Sequence, residues 1–211
     1  MPDLATLSIF LTAAFILSIT PGPGILYTLA RSLHGGRAVG IASVMGLFVG
    51  GLFHVVAAAL GLSSLLMTSA IAFSIVKYIG AAYLIYLGLK TLLSSDTLAI
   101  AADASYSPML KSSAFTQGVM TEVLNPKTAL FFLAFIPQFV QVENGSVLAQ
   151  FLVLGLITTS FNFAADLAVA TFAGPLGQRL KTNYQFRRLQ RLVSGSTLMG
   201  LGAYVAVAEQ N

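Results

Sequence analysis

The chain contains no cysteine, only two histidines and, among 211 residues, only 11 basic and 7 acidic side chains. Without cysteine, disulfides, thiolate metal sites and cysteine nucleophiles are all excluded. His34 and His54 are too few for a dedicated metal site, and no metal or other cofactor is implied. The shortage of charge says more. Charged residues make up 9% of the chain, against about 25% in an average soluble domain. With 56% hydrophobic residues, there is too little polar surface to coat a soluble globule. Apolar runs longer than about 18 residues recur, and each reads as a membrane span. The chain is therefore expected to be an integral membrane protein. Its net charge of +4 does not indicate nucleic acid, because the basic residues are distributed as membrane orientation requires. The opening MPDLATLSIF has Asp3 where a signal peptide carries basic residues. No small-residue cleavage site follows, so a retained first helix is expected.

Six hydrophobic segments are expected, at about 4–30, 38–63, 71–93, 114–140, 146–172 and 190–208. The HGGR turn (34–37) parts the first two, and a stretch near Ser63, Ser64, Thr68 and Ser69 parts the next pair. A polar loop of about 94–113 marks the middle of the chain, VENGS (142–146) makes a turn, and QRLKTNYQFRRLQR (178–191) precedes the last span. Placing these connections alternately gives one side Arg31, Arg37, Lys90, Lys111, Arg179, Lys181, Arg187, Arg188 and Arg191. The other side receives Asp3, Glu143 and Glu209 and no basic residue. The positive-inside rule makes the first side cytoplasmic and turns both termini outward.

Two of the six segments contain a proline inside a polar knot, SITPGPGIL (18–26) and VLNPKTALF (123–131), after which the apolar run resumes. The expected fold is thus all-α, a single transmembrane domain over 1–211 with helices 1 and 4 broken by proline. Segments three and six share glycine patterns, GAAYLIYLG (80–88) and GSTLMGLG (195–202). With three spans per half, the halves (about 1–93 and 114–211, joined by a cytoplasmic loop) would form two inverted repeats with their broken helices face to face.

A helix broken at bilayer mid-depth frees backbone groups that lipid cannot satisfy, so breaks occur where protein or a water-filled cavity lines them. At Thr20, Pro21, Gly22, Pro23 and Gly24 the prolines remove backbone donors and the glycines permit unwinding. Freed carbonyls and an exposed half-helix N-terminus are suited to the ammonium and the carboxylate of an amino acid. The bland alternative is a packing kink, which the doubling of the motif disfavours. At the second break, Pro126 drives Asn125 away from helical geometry, and the Asn125 side chain can bond released backbone groups. Lys127 then sits close to mid-membrane, where an ammonium costs about 2.5–3.5 kcal/mol on insertion scales. It needs an acid, a cavity or helix carbonyls.

Glu122 and Asp166 are intramembrane carboxylates, candidates for proton coupling or for static neutralising pairs. Glu122 lies five residues before Lys127, off its face on a regular helix, although unwinding at Pro126 could bring the two together. Asp166 has Lys127 or Lys77 as possible partners. His54 could titrate, although hydrogen bonding between helices is the commoner role of a lone membrane histidine. Gly36 and Gly40, then Gly46 and Gly50, have small-xxx-small spacing that suits close helix packing.

PGPG followed by ARSLHGGRAVGIASVMGLFVG, then KYIGAAYLIYLGLK and GVMTEVLNPKTALFFLAFIPQFV, resembles the LysE/RhtB family of bacterial amino-acid exporters over essentially the whole chain. The resemblance implies export of amino acids or close derivatives across the inner membrane by substrate/proton antiport. The partners it implies are an amino-acid substrate and protons; the composition adds the lipid bilayer, and a homodimer is a candidate assembly that the sequence does not decide. Its functional positions fall on Pro21, Gly22, Pro23, Asn125, Pro126, Lys127 and Asp166. Glu122 departs from the uncharged polar residue of many members. It would either favour cationic substrates or neutralise Lys127. The competing classes are a passive channel, for which no filter-like loop is visible, and an intramembrane enzyme, for which neither HExxH nor GxSxG occurs.

Overall fold

The computed structural model describes residues 4–93 and 110–207. Most of the expected cytoplasmic loop lies outside these residues, as do Asp3 and Glu209. Every regular element among the described residues is helical. Helix α1 (Leu4–Ile19) stops before Thr20, Gly22 is extended (φ −144°, ψ −171°), and α2 (Pro23–Ala57) begins on Pro23. Proline is well placed there, since a first-turn residue has no intrahelical use for its N–H. Within α2, Gly36 adopts φ 79° and ψ 172°, so the HGGR turn is a single glycine hinge between two helical stretches. Only a residue without Cβ takes that conformation at no cost. Gly36 is accordingly not a packing position, and nothing lies within 4 Å of where its Cβ would stand.

A π-helical turn (Ala58–Leu62) leads from α2 into α3 (Ser63–Thr68), and α4 (Ala70–Leu93) follows after Ser69. The division between the second and third segments therefore falls at Ser69 alone. Ser63, Ser64 and Thr68 stay within the helix, their hydroxyls satisfied by the carbonyls of Ala59, Leu60 and Ser64. Helix α5 (Lys111–Val123) ends before Asn125 and α6 (Pro126–Leu130) starts on Pro126. A second π-helical turn (Phe131–Phe135) and 3-10 turns at Ile136–Phe139 and Val142–Asn144 lead to α7 (Val147–Thr182). Helix α8 (Tyr184–Val207) completes the chain. The polar piece 178–191, expected as a connection, is helical on both sides of Asn183. Its Gln, Arg, Lys and Leu residues are good helix formers.

Among the described residues, four stretches are long and apolar enough to cross a membrane: Pro23–Leu65, Ser74–Leu93, Lys111–Phe139 and Val147–Pro175. Thr6–Ile19 is a shorter apolar helix, because the interruption at 20–22 divides the first expected segment. Helix α8 falls short because Gln190, Arg191 and the Ser194–Thr197 stretch dilute its hydropathy.

Helix α2 packs against α5 and α7, and α4 against α8. The α2–α5 crossing depends on glycine. A Cβ on Gly118 would lie 2.5 Å from the Ser43 carbonyl and 3.2 Å from the Gly46 Cα, and one on Gly46 would collide with the Phe115 carbonyl. The larger core cluster contains a column of rings, with Phe131–Phe135 and Phe135–Phe139 centroids each 4.7 Å apart and Phe10 5.2 Å from Phe139. Outside, α4 exposes Ile71, Ile75, Tyr78, Ile79, Leu89 and Leu93, an apolar face suited to lipid.

Gly118→Val should destabilise the fold by about 1–3 kcal/mol through overpacking, read as a lower unfolding midpoint in mixed micelles. Gly174→Ala should be close to neutral there, since its Cβ would meet nothing within 4 Å.

Candidate functional site

A proline inside a helical run withholds the N–H that the carbonyl four residues earlier would accept from. By that count Pro21 strips Leu17, Pro23 strips Ile19 and Pro126 strips Glu122. Two of these three carbonyls receive a basic side chain from another helix. The Leu17 carbonyl accepts from Lys127 Nζ at 3.2 Å as well as from the Thr20 N–H at 3.1 Å. The Glu122 carbonyl accepts from His54 Nε2 at 2.9 Å as well as from the Asn125 N–H at 3.0 Å. The second bond assigns the His54 ring proton to Nε2. His54 is thus hydrogen-bonded between helices, joining α2 to the end of α5.

Lys127 is buried, with 8% of its surface exposed. Its ammonium also donates to the Thr20 carbonyl at 2.8 Å. It therefore lies at the C-terminal end of α1, where the helix dipole favours a cation. Its stem runs past Gly22, where a Cβ would lie 3.1 Å from Cε and 3.3 Å from Nζ. The N–H of Lys127 donates to Asn125 Oδ1 at 3.1 Å, so Asn125 caps α6.

Glu122, from the last turn of α5, is likewise engaged. Asn125 Nδ2 donates to Oε2 at 2.9 Å and the Thr128 hydroxyl to Oε1 at 2.7 Å. Asp166 reaches the same place from α7 and is buried. Its Oδ1 has no hydrogen-bond partner among the described residues. Together with Ser18, Gly24 and Asn162, these groups line a cavity of about 20 Å³. One water needs roughly 10–15 Å³, so the space holds about one water and no amino acid. The arrangement is closed around its polar groups.

The expected site residues thus come together, with specific differences. Thr20 contributes its carbonyl, while its hydroxyl turns back to the Ile16 carbonyl at 2.8 Å. Pro21, Gly22, Pro23 and Gly24 act through what they lack: prolines without donors, and glycines that admit Lys127 and Glu122. Lys127 faces carbonyls, and among the described residues it forms no ion pair with Glu122 or Asp166. Asp166 pairs with neither Lys127 nor Lys77. Leu17, Ser18, Thr128 and Asn162 were not anticipated. Leu17 had a signal in the sequence, its position four residues before Pro21, whereas Asn162 had none. Arg31, expected at a loop, is buried within α2. Its Nη2 donates to Gln117 Oε1 at 3.0 Å and its guanidinium lies 5.2 Å from the centre of the Tyr27 ring. Those partners replace water around the charge.

A second, apolar cavity of about 390 Å³ adjoins both π-helical turns and is lined in part by His54, Ala57, Gly61, Val76 and Phe132. His54 stands between it and the polar site.

Residues 15–209 match the family described as LysE type translocator. The chain is 31% identical over 199 residues to a homoserine/homoserine lactone efflux protein of Salmonella typhimurium, covering 94% of this chain and 95% of that protein. It is 29% identical over 200 residues to an uncharacterised membrane protein of Vibrio cholerae, covering 95% and 96%. A Pseudomonas aeruginosa membrane protein is 35% identical over 190 residues, covering 88% and 84%. No solved structure matches this chain.

His54→Leu should cost about 1 kcal/mol by removing one donor from the Glu122 carbonyl, and His54→Gln, which keeps a side-chain N–H, should recover part of that. Reversible unfolding in mixed micelles checks both. A neutral His54→Leu would mean that the bond contributes nothing.

Proposed function

Because the chain belongs to the LysE-type translocator family, we propose that it exports amino acids or close derivatives across the bacterial inner membrane by proton antiport. The observation that carries this reading is the meeting of both proline interruptions at one closed polar site, with Lys127 bonded to the end of α1. Substrate binding is assigned to Thr20, Pro21, Gly22, Pro23, Gly24, Asn125, Pro126 and Lys127. Proton coupling is assigned to Asp166 and Glu122, with Asp166 favoured because Glu122 is already held by two donors. A carrier is favoured over a channel because the site is closed to about 20 Å³, and alternating access needs such an occluded stage. No enzymatic role is assigned.

We further read the fold as six spans in two inverted repeats with both termini outside. Support comes from the α4–α8 crossing, where a Cβ on Gly88 would meet the Gly195 carbonyl at 2.7 Å and one on Gly202 would meet the Ala81 carbonyl at 2.7 Å. The glycine-patterned segments of the two halves thus face each other and run antiparallel. Exposed Arg37, Lys90, Lys111 and Arg188 suit the cytoplasmic side. Homoserine is the first substrate to test, since the Salmonella relative is named for its efflux.

Cells preloaded with an amino-acid panel should lose a few related members faster when the protein is expressed, and an uncoupler should stop that loss. Asn125→Ala and Asp166→Asn should abolish the efflux while insertion stays normal. Expression without effect on any amino acid would sink the exporter reading, and undiminished efflux in both variants would remove the proposed site.

A further inference from the structure

Resting on the exporter reading, we infer that the Leu17 and Thr20 carbonyls are the seat of the substrate's protonated amino group. Lys127 holds this seat in the substrate-free protein, and the substrate displaces it toward Asp166. The Lys127 ammonium has three N–H donors, of which two point to these carbonyls at 3.2 and 2.8 Å. The α-ammonium of an amino acid presents the same three donors. Each carbonyl is available for a local reason. Pro21 denies Leu17 its helical donor, and Thr20 lies beyond the last residue of α1. The end of a helix also adds negative dipole. A quaternary ammonium, which has no N–H, does not meet this requirement.

Lys127 and the substrate cannot share the place. The remaining space is about 20 Å³, and the lysine stem packs on Gly22 so closely that a Cβ there would stand only 3.1 Å from Cε. A displaced ammonium also needs a partner, since an unpaired charge at this depth is costly. Glu122 is occupied by Asn125 and Thr128. Asp166 lines the same cavity, and its buried Oδ1 has no partner. Of the two carboxylates of the site, it is the one left open among the described residues. Within the binding site, Lys127 thus acts as a tethered competitor for the substrate's amine and not as a direct ligand of the substrate. Binding is weakened by the fraction of time that Lys127 keeps the seat, and the same competition returns the substrate to solution.

The test is calorimetric binding to the purified full chain in lipid nanodiscs. Ligands are homoserine, or another amino acid if the efflux assay selects it, and its N-trimethyl derivative. Wild type should bind the primary-amine form and not the N-trimethyl form. Lys127→Met should bind the primary-amine form at least about threefold more tightly, because the seat is no longer partly occupied. Lys127→Arg keeps a donor-bearing cation and should show no such tightening. Equal binding of the N-trimethyl form to wild type would overturn the seat, and that measurement needs no variant to fold. Loss of binding in Lys127→Met with retention in Lys127→Arg would instead make Lys127 the grip on the substrate's carboxylate. Either failure, with wild-type efflux intact, leaves the exporter reading standing.

Discussion

Prolines placed inside apolar helices leave carbonyls without donors, in a surrounding where lipid supplies none. The arrangement of this protein follows from how those carbonyls are met. Lys127 reaches from α6 to the end of α1, and His54 reaches from α2 to the end of α5. Each bond therefore joins two helices at the point where one of them is interrupted. The same bonds place a cation and two carboxyl groups around one small cavity.

The charges are tolerable because each has been given protein in place of water. Glu122 accepts from an amide and a hydroxyl, Lys127 donates to two carbonyls, and Arg31 meets an amide oxygen and an aromatic face. Asp166 Oδ1, by contrast with the Glu122 carboxylate, is a buried acceptor without a partner among the described residues. An unsatisfied buried group is costly in a folded protein, and here it adjoins the cation best able to answer it.

Close helix crossings keep this geometry in place. Gly46 and Gly118 let α2 and α5 approach until backbone meets backbone, and that crossing brings His54 within reach of Glu122. On the other side, the Gly88–Gly195 contact joins α4 to α8. Without a hydrophobic drive between helices in lipid, small residues that permit contact become the means of association.

Much of this was legible in the sequence. Scarce charge and long apolar runs gave the membrane class, and the two proline knots located both interruptions to within a residue or two. The residues near Pro21 and Pro126 follow from rules about missing N–H groups, which act over four residues and need no knowledge of the fold. Their partners do not follow. Leu17 lies 110 residues from Lys127 and His54 lies 68 from Glu122, and no local pattern encodes which helices cross. For Lys127 the sequence left an acid, a cavity or helix carbonyls open, and the structure gives it carbonyls and leaves Asp166 unpaired with it. Local chemistry determined where the helices stop. Only tertiary packing decided which side chain answers each freed carbonyl, because that choice depends on distances set by helix crossings and not by spacing along the chain.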